Sequence, residues 1–274
     1  MGGDDLGSDD EFLTEAISDS VQVGALPIAR DNDVVVTESK KRKLSDAEGA
    51  TAAAGDDAED DSEKEAAGKR KKGAKVLLAA GRDLEDQTAD QQAAFLSTAL
   101  SHQSLMDSNT DILPEDKLLP HHFRTSSKDT LYERLKDGVA IKRMKTWKNT
   151  KSPCVVVVCI SAKRAVAVLK ELSVTKVRAA KLFAKHMNIT EQAEQLRSTP
   201  FGLAVGTPNR LRALCEGGDL SFAHTQLVVF DCQVSNKAFT VCTLPDTAPD
   251  CMSLLRDSVV PQLKKRKDIR LAFF

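Results

Sequence analysis

Cys154 to Ile160 is an unbroken apolar run dominated by β-branched valine. A short run with no polar alternation predicts a strand buried on both faces. Ser161 then stands where a helix needs a cap, and Ala162, Ala165, Val166, Leu169 and Leu172 predict one apolar helix face. Val177 to Phe183 is a second strand candidate. A short helix is expected around Glu191 to Arg197, capped by Asn188 or Thr190. Phe201 to Val205 reads as a third strand. Thr207 at a cap and Pro208 at the first helical position open the next helix, and Gly217-Gly218 closes it. Leu227 to Phe230 and Ile269 to Phe273 complete a set of five strands. Alternation of strands and helices predicts an α/β fold, a parallel sheet with helices on both faces.

The preceding stretch, 76–151, is patterned for helices. Ala89 to Met106 carries Ala93, Leu96, Leu100 and Leu105 among good helix formers. Pro114 and Pro120 punctuate the stretch after it. Ser126 or Ser127 is the expected cap of a helix with Leu131, Leu135 and Val139 along one stripe. Ala140, Met144 and Trp147 form a second stripe, offset after a bend at Asp137-Gly138. Lys136, Lys142, Arg143, Lys145, Lys148 and Lys151 lie between and after them. That basic face either meets RNA phosphates or is simply solvated.

Charge changes the picture of the whole chain. The 274 residues carry 39 basic and 40 acidic side chains, but unevenly. Residues 1–68 hold 19 acids and six bases, a net of −13, and residues 69–274 have a net of +12. An acidic arm joined to a basic body points to a polyanion-facing body. Residues 1–75 have too little apolar surface to offset the entropy of ordering, so a disordered arm is expected there. Lys40, Lys41, Arg42 and Lys43 form one basic cluster within it, and Lys69, Arg70, Lys71 and Lys72 another. Their spacing suits a nuclear import signal. Ser8, Ser45 and Ser62 precede acidic residues and match the pattern of an acid-directed kinase. The chain divides into three segments: the arm 1–75, a helical linker with N-terminal helices 76–151, and an α/β domain 152–274.

Several chemistries are excluded by composition. Aromatic residues make up 4% of the chain, too few for a base-stacking platform. No apolar stretch is long enough to span a membrane, and the acidic start lacks the pattern of a signal peptide. The expected compartment is therefore the cytosol or nucleus. The cysteines, Cys154, Cys159, Cys215, Cys232, Cys242 and Cys251, form no Cys-x-x-Cys pair and have no histidine at zinc spacing. They read as free, buried thiols, and no metal site is expected. His121 and His122 are adjacent, so on regular structure their rings point apart, as befits a surface or loop.

In parallel sheets, ligands bind at the carboxyl ends of the strands. There the pattern places Ser161 to Arg164, Gly206 to Arg210 and Asp231 to Ser235. A phosphate suits the helix start near Thr207, with Arg210 one turn in, and Lys163 and Arg164 offer the same at the first strand. The plain alternative is helix capping with solvated cations.

These residues carry a resemblance. Val205-Gly206-Thr207-Pro208-Asn209-Arg210-Leu211 resembles the Thr-Pro-Gly-Arg RNA-contact motif of DEAD-box helicases, with Asn209 in place of Gly. Leu227-Val228-Val229-Phe230-Asp231 resembles the strand leading into their Asp-Glu-Ala-Asp motif. Ile160-Ser161-Ala162-Lys163-Arg164-Ala165 stands where Pro-Thr-Arg-Glu-Leu-Ala does. The final strand resembles the one before their Ser-Ala-Thr motif. The departures are mechanistic. No Gly-x-x-x-x-Gly-Lys-Ser/Thr loop occurs, Cys232 follows Asp231 where a carboxylate is needed, and no second lobe is expected. Helicase catalysis is not expected.

Lys181-Leu182-Phe183-Ala184-Lys185-His186, leading into Glu191-Gln192, is more specific. Together with the helicase-like motifs it is similar to the nucleolar small-subunit ribosome-assembly proteins known as the Cms-one or ribosomal small subunit homologue family. The resemblance covers about residues 110–274. It implies a single degenerate RecA-like sheet without a P-loop and a nuclear, nucleolar location. It also implies association with the early pre-ribosomal particle that processes 18S-type rRNA. The expected partners are pre-rRNA or small nucleolar RNA and pre-ribosomal proteins, with no cofactor. The candidate phosphate contacts are Lys163, Arg164, Thr207 and Arg210, with Lys181 and Lys185 either adding to that surface or serving as strand-end cations. Asp231 marks the degenerate helicase position. Two other readings stay open: a module that binds only proteins, and a cryptic nucleotide-binding enzyme.

Overall fold

The computed structural model describes residues 77, 81, 83–106, 118–185, 187–233 and 239–274. These residues belong to one compact unit of the chain, Gly55–Phe274. The predicted arm and both basic clusters, 40–43 and 69–72, lie outside the described residues, as do Pro114 and His186.

Five parallel strands form one sheet in the order β2-β3-β1-β4-β5. They are β1 (Val155–Val158), β2 (Ala179–Leu182), β3 (Leu203–Gly206), β4 (Leu227–Phe230) and β5 (Arg270–Phe273). The valine run is the central strand, and all four of its residues are buried. Alternate side chains serve opposite faces. Val156 and Val158 join one core cluster, Val155 and Val157 the other. All five predicted strands are present, and each lies close to its expected ends.

Helices cover both faces. On one side lie α2 (Leu131–Gly138), α3 (Ile141–Lys145) and α4 (Ala162–Leu172). On the other lie α1 (Ala89–Met106), α5 (Ile189–Ser198), α6 (Pro208–Glu216), α7 (Ala248–Leu254) and α8 (Val260–Lys265). A π-helical turn, Leu255–Val259, joins α7 to α8 and places Pro261 in the first turn of α8. No helix among the described residues is long and apolar enough to cross a membrane.

The caps are mostly legible in the sequence. Ser161 Oγ accepts from Arg164 N, and Asn188 accepts from Glu191 N in a capping box. Four details differ from expectation. Thr130, not Ser126 or Ser127, caps α2: its side chain accepts from Glu133 N, and Glu133 reaches back to Thr130 Oγ1 at 3.1 Å. Thr207 is the N-cap of α6 by backbone position, but its hydroxyl makes no cap bond. The buried stripe of α4 is Ala165, Val168 and Leu172, while Val166 is exposed. The buried face is therefore rotated about the helix axis from the predicted one. His121 and His122 sit on a short 3-10 turn, and there their rings meet edge to face at 4.3 Å rather than pointing apart.

Candidate functional site

Parallel register brings the carboxyl ends of the strands to one edge. Val158 lies beside Gly206 on one side and Phe230 on the other, Leu182 beside Gly206, and Phe230 beside Phe273. The turns at Ser161–Arg164, Phe183–Lys185, Gly206–Arg210 and Asp231 therefore share this edge. Gly206 permits the closeness. A Cβ there would lie 2.4 Å from Leu182 O, on the path of the 3.1 Å bond from Thr207 N to that carbonyl.

The structure joins two of the sequence-predicted residues to each other. Arg164 donates from Nε to Asp231 Oδ2 at 2.8 Å and from Nη2 to Oδ1 at 2.9 Å. The fork is bidentate and largely closed to water: the Asp231 side chain is 0% exposed and that of Arg164 is 16% exposed. Burial pushes the Asp231 carboxyl above its ordinary value, against the opposing pull of Arg164. Burial also pulls the Arg164 guanidinium down, but its bonds to Asp231 outweigh that and leave it raised. The fork holds each side chain to the other.

Arg210 is also engaged internally. Its Nη1 donates to Gln192 Oε1 at 2.9 Å and faces Met187 O at 3.4 Å. Gln192 is buried, and its Nε2 donates to Lys181 O at 2.8 Å and Phe183 O at 3.0 Å. The chain Arg210–Gln192–β2 thus ties α6, α5 and the edge strand together. The role of Gln192 is not readable from its place in the sequence, because it depends on which strand end meets its helix.

Lys163, Lys181 and Lys185 are exposed, and Thr207 is half-buried. Lys181 lies within β2, at the edge of the sheet, where a lysine also hinders pairing with another strand. Cys232, next to Asp231, is buried and donates its backbone N–H to Phe274 O. No carboxylate replaces it there. All six cysteines are free, and five are buried. Burial pushes the Cys154 thiol up to about 12 and Cys215 up to about 11, so neither is a thiolate nucleophile at neutral pH. Among the described residues no cluster of His, Cys, Asp and Glu could hold a metal ion.

A separate open concavity of about 710 Å3 lies between the Glu85–Thr88 turn and Arg124–Lys128. Sequence reasoning did not anticipate it. Its lining mixes both signs of charge and singles out no ligand class.

The decisive comparison is with a family model described as "CMS1: U3-containing 90S pre-ribosomal complex subunit", which matches residues 36–274. The chain belongs to the CMS1 family. The match takes in all five strands and every residue of the carboxyl edge. Protein CMSS1 of Xenopus laevis is 29% identical over 136 residues, 48% of this chain and 49% of that protein. Protein CMSS1 of Homo sapiens is 28% identical over 137 residues, 49% of each chain. Protein CMS1 of Chaetomium thermophilum is 36% identical over 98 residues, 35% of this chain and 39% of its own. The chain thus aligns with about half the length, or less, of these CMS1-family relatives.

Proposed function

We propose that this CMS1-family chain is a noncatalytic component of the early small-subunit pre-ribosomal particle, acting in the nucleolus. Its family's description supports the particle. The observation that carries the noncatalytic part is the Arg164–Asp231 pair. An acid that orients water or a metal-bound phosphate needs an accessible carboxylate. Asp231 has none to offer, since both oxygens are held by Arg164 and water is excluded. The edge that resembles a helicase site is instead a brace between β1, β4 and α4. Arg210 and Gln192 form a second brace beside it.

Two measurements test this. Tagged full-length protein should co-sediment with U3 RNA in the fractions of the 90S particle. Recovery only among free proteins would reject the assembly role. Millimolar ATP should leave the melting temperature unchanged, because a ligand stabilises only what it binds in the folded state. A rise with ATP would favour the nucleotide-binding reading. A second reading, that partners at this edge are proteins alone, is favoured by the internal engagement of Arg164 and Arg210. It predicts that the exposed lysines Lys163 and Lys185 can be replaced by alanine without loss of RNA.

A further inference from the structure

The opposite edge of the sheet carries cations in a different state. Every strand is parallel, so the segments entering β1 to β5 converge on one amino edge. Helix α3 lies there, with Met144 O against Gly202 at the entry to β3. It exposes Lys142, Arg143 and Lys145, and Lys148 comes next on the way into β1. Lys176 and Arg178 are exposed at the entry to β2, and Lys267 at the entry to β5. Arg143 is close enough to Cys154 and to Asp268 to shift both, which links the entries of β1 and β5.

Four strand spacings of ~4.8 Å make this edge ~19 Å wide. That width leaves room for more than one phosphate of a single strand lying across the edge.

Ordinary structural roles do not account for these side chains. The crossover helices end at this edge, and Lys170 and Arg197 in their last turns balance the negative helix ends. Lys142, Arg143 and Lys145 lie in the last turn of the short helix α3, more cations than its one negative end calls for, and those of the strand entries lie in no helix's last turn. The carboxylates of the edge are already engaged. Asp219 pairs with Arg197 at 2.6 Å and Lys151 at 4.0 Å, Asp268 with Arg266 at 2.8 Å, and Glu216 with Arg212 at 3.3 Å. Glu171 accepts from Leu131 N. No carboxylate among the described residues lies within ion-pair distance of Lys142, Arg143, Lys145, Lys148, Lys176, Arg178 or Lys267, although Asp268, held by Arg266, feels the charge of Arg143.

Two lysines of this edge hold backbone conformations that favour glycine, Lys151 at φ 56 and Lys176 at φ 52, and Lys151 donates from its ammonium to Gly218 O. Glycine takes this left-handed conformation freely, and a β-carbon makes it costly by about 1–2 kcal/mol. The side chain of Lys176 projects from the turn into solvent.

We infer that the amino edge of the sheet, centred on α3, holds the phosphate backbone of RNA. The inference rests on the pre-ribosomal reading and names the surface and the partner chemistry. An acidic protein is the less fitting partner. Protein interfaces are built around a desolvated apolar centre, and among the described residues Val174 is the one large apolar side chain exposed in the segments entering β1, β2 and β3. Lysines spaced along loops suit a flexible polyanion whose charge is regular and whose sequence is not read. The carboxyl edge offers less, because two of its arginines are engaged.

The test uses the full chain and fluorescein-labelled oligouridine, with affinity measured across a salt series. The triple variant Lys142→Glu/Arg143→Glu/Lys145→Glu should bind at least about tenfold more weakly. Its slope of log affinity against log salt should be shallower by about 2, at ~0.7 per lost contact on a single strand. Lys176→Gly should weaken binding while keeping or raising the melting temperature, since it relieves the backbone as it removes the charge. Lys163→Ala/Lys181→Ala/Lys185→Ala, at the other edge, should stay within about twofold of wild type. Wild-type affinity and slope in the α3 variant would overturn the inference, as would a larger loss in the carboxyl-edge variant. So would a wild-type chain that ignores oligouridine at low salt but binds polyglutamate through α3. Co-sedimentation with U3 RNA separates this from the reading beneath it. If the wild type stays in the particle while the α3 variant binds RNA normally, only the amino-edge assignment fails. If the wild type is absent from the particle, the pre-ribosomal reading fails first.

Discussion

Removing the guanidinium of Arg164 would leave the Asp231 carboxylate buried beside no cation. A buried charge stripped of its partner destabilises a fold by roughly 3–5 kcal/mol, whereas replacing both members by apolar groups is often neutral. Arg164→Met should therefore lower the urea midpoint sharply, and Arg164→Met/Asp231→Leu should recover most of the loss. Failure of the second change to rescue the first would show that the pair does not brace the edge. The pH dependence has a definite sign. The folded pKa of Asp231 lies above its ordinary value because of burial. Losing Arg164 removes the opposing pull and raises it further. The folded form then binds more protons than the unfolded one, so stability is gained as pH falls through the folded pKa. The deficit of Arg164→Met should be smaller at about pH 5 than at about pH 7. None of this pairing is visible along the chain. Arg164 and Asp231 are 67 positions apart and meet because β1 and β4 are neighbours. The sequence marks each residue as standing at a strand end, and both do. It assigns them to a ligand because it cannot show that the ends touch.

At the scale of elements, legibility follows burial. The valine run of β1 announces a central strand because no polar position interrupts it, and all four residues are buried. The apolar positions of α4 are ambiguous by one place, since two overlapping stripes contain Ala165 and Leu172. The sheet selects the one with Val168, leaving Val166 in solvent. The segment around α7 and α8 yields no helix by pattern, because a π turn shifts the phase midway and Pro261 reads as a stop. The cap of α2 is an error of a different kind. Thr130-x-x-Glu133 is a capping-box pattern, and it outweighs the serines a turn earlier. Thr130→Ala should destabilise the protein by about 1 kcal/mol, and Ser127→Ala should have no measurable effect. Paired chemical denaturation curves distinguish them. Equal midpoints for both variants would mean that packing of Leu131 and Leu135, rather than the cap, fixes where this short helix begins.

For the whole molecule, charge is segregated on two levels. Along the chain, a stretch with a net of −13 precedes a body with a net of +12. Within the body, the two sheet edges differ, one with arginines locked to buried partners and one with cations left to solvent. This division was half legible: the sequence reveals the basic body, but folding decides which cations remain available. If the amino edge binds polyanions, the acidic stretch of the same chain lowers its affinity for RNA through the shared field, whatever its conformation. Changing Asp56, Asp57, Asp60 and Asp61 to Asn moves the formal charge from −1 to +3, since four negative charges are removed. This variant should bind oligouridine more tightly at low salt. The advantage should fade as the screening length shrinks to ~3 Å near 1 M salt. An advantage that survives high salt would point instead to short-range contact between the acidic stretch and the body. Unchanged affinity at low salt would mean that the stretch stays beyond a screening length of the bound RNA.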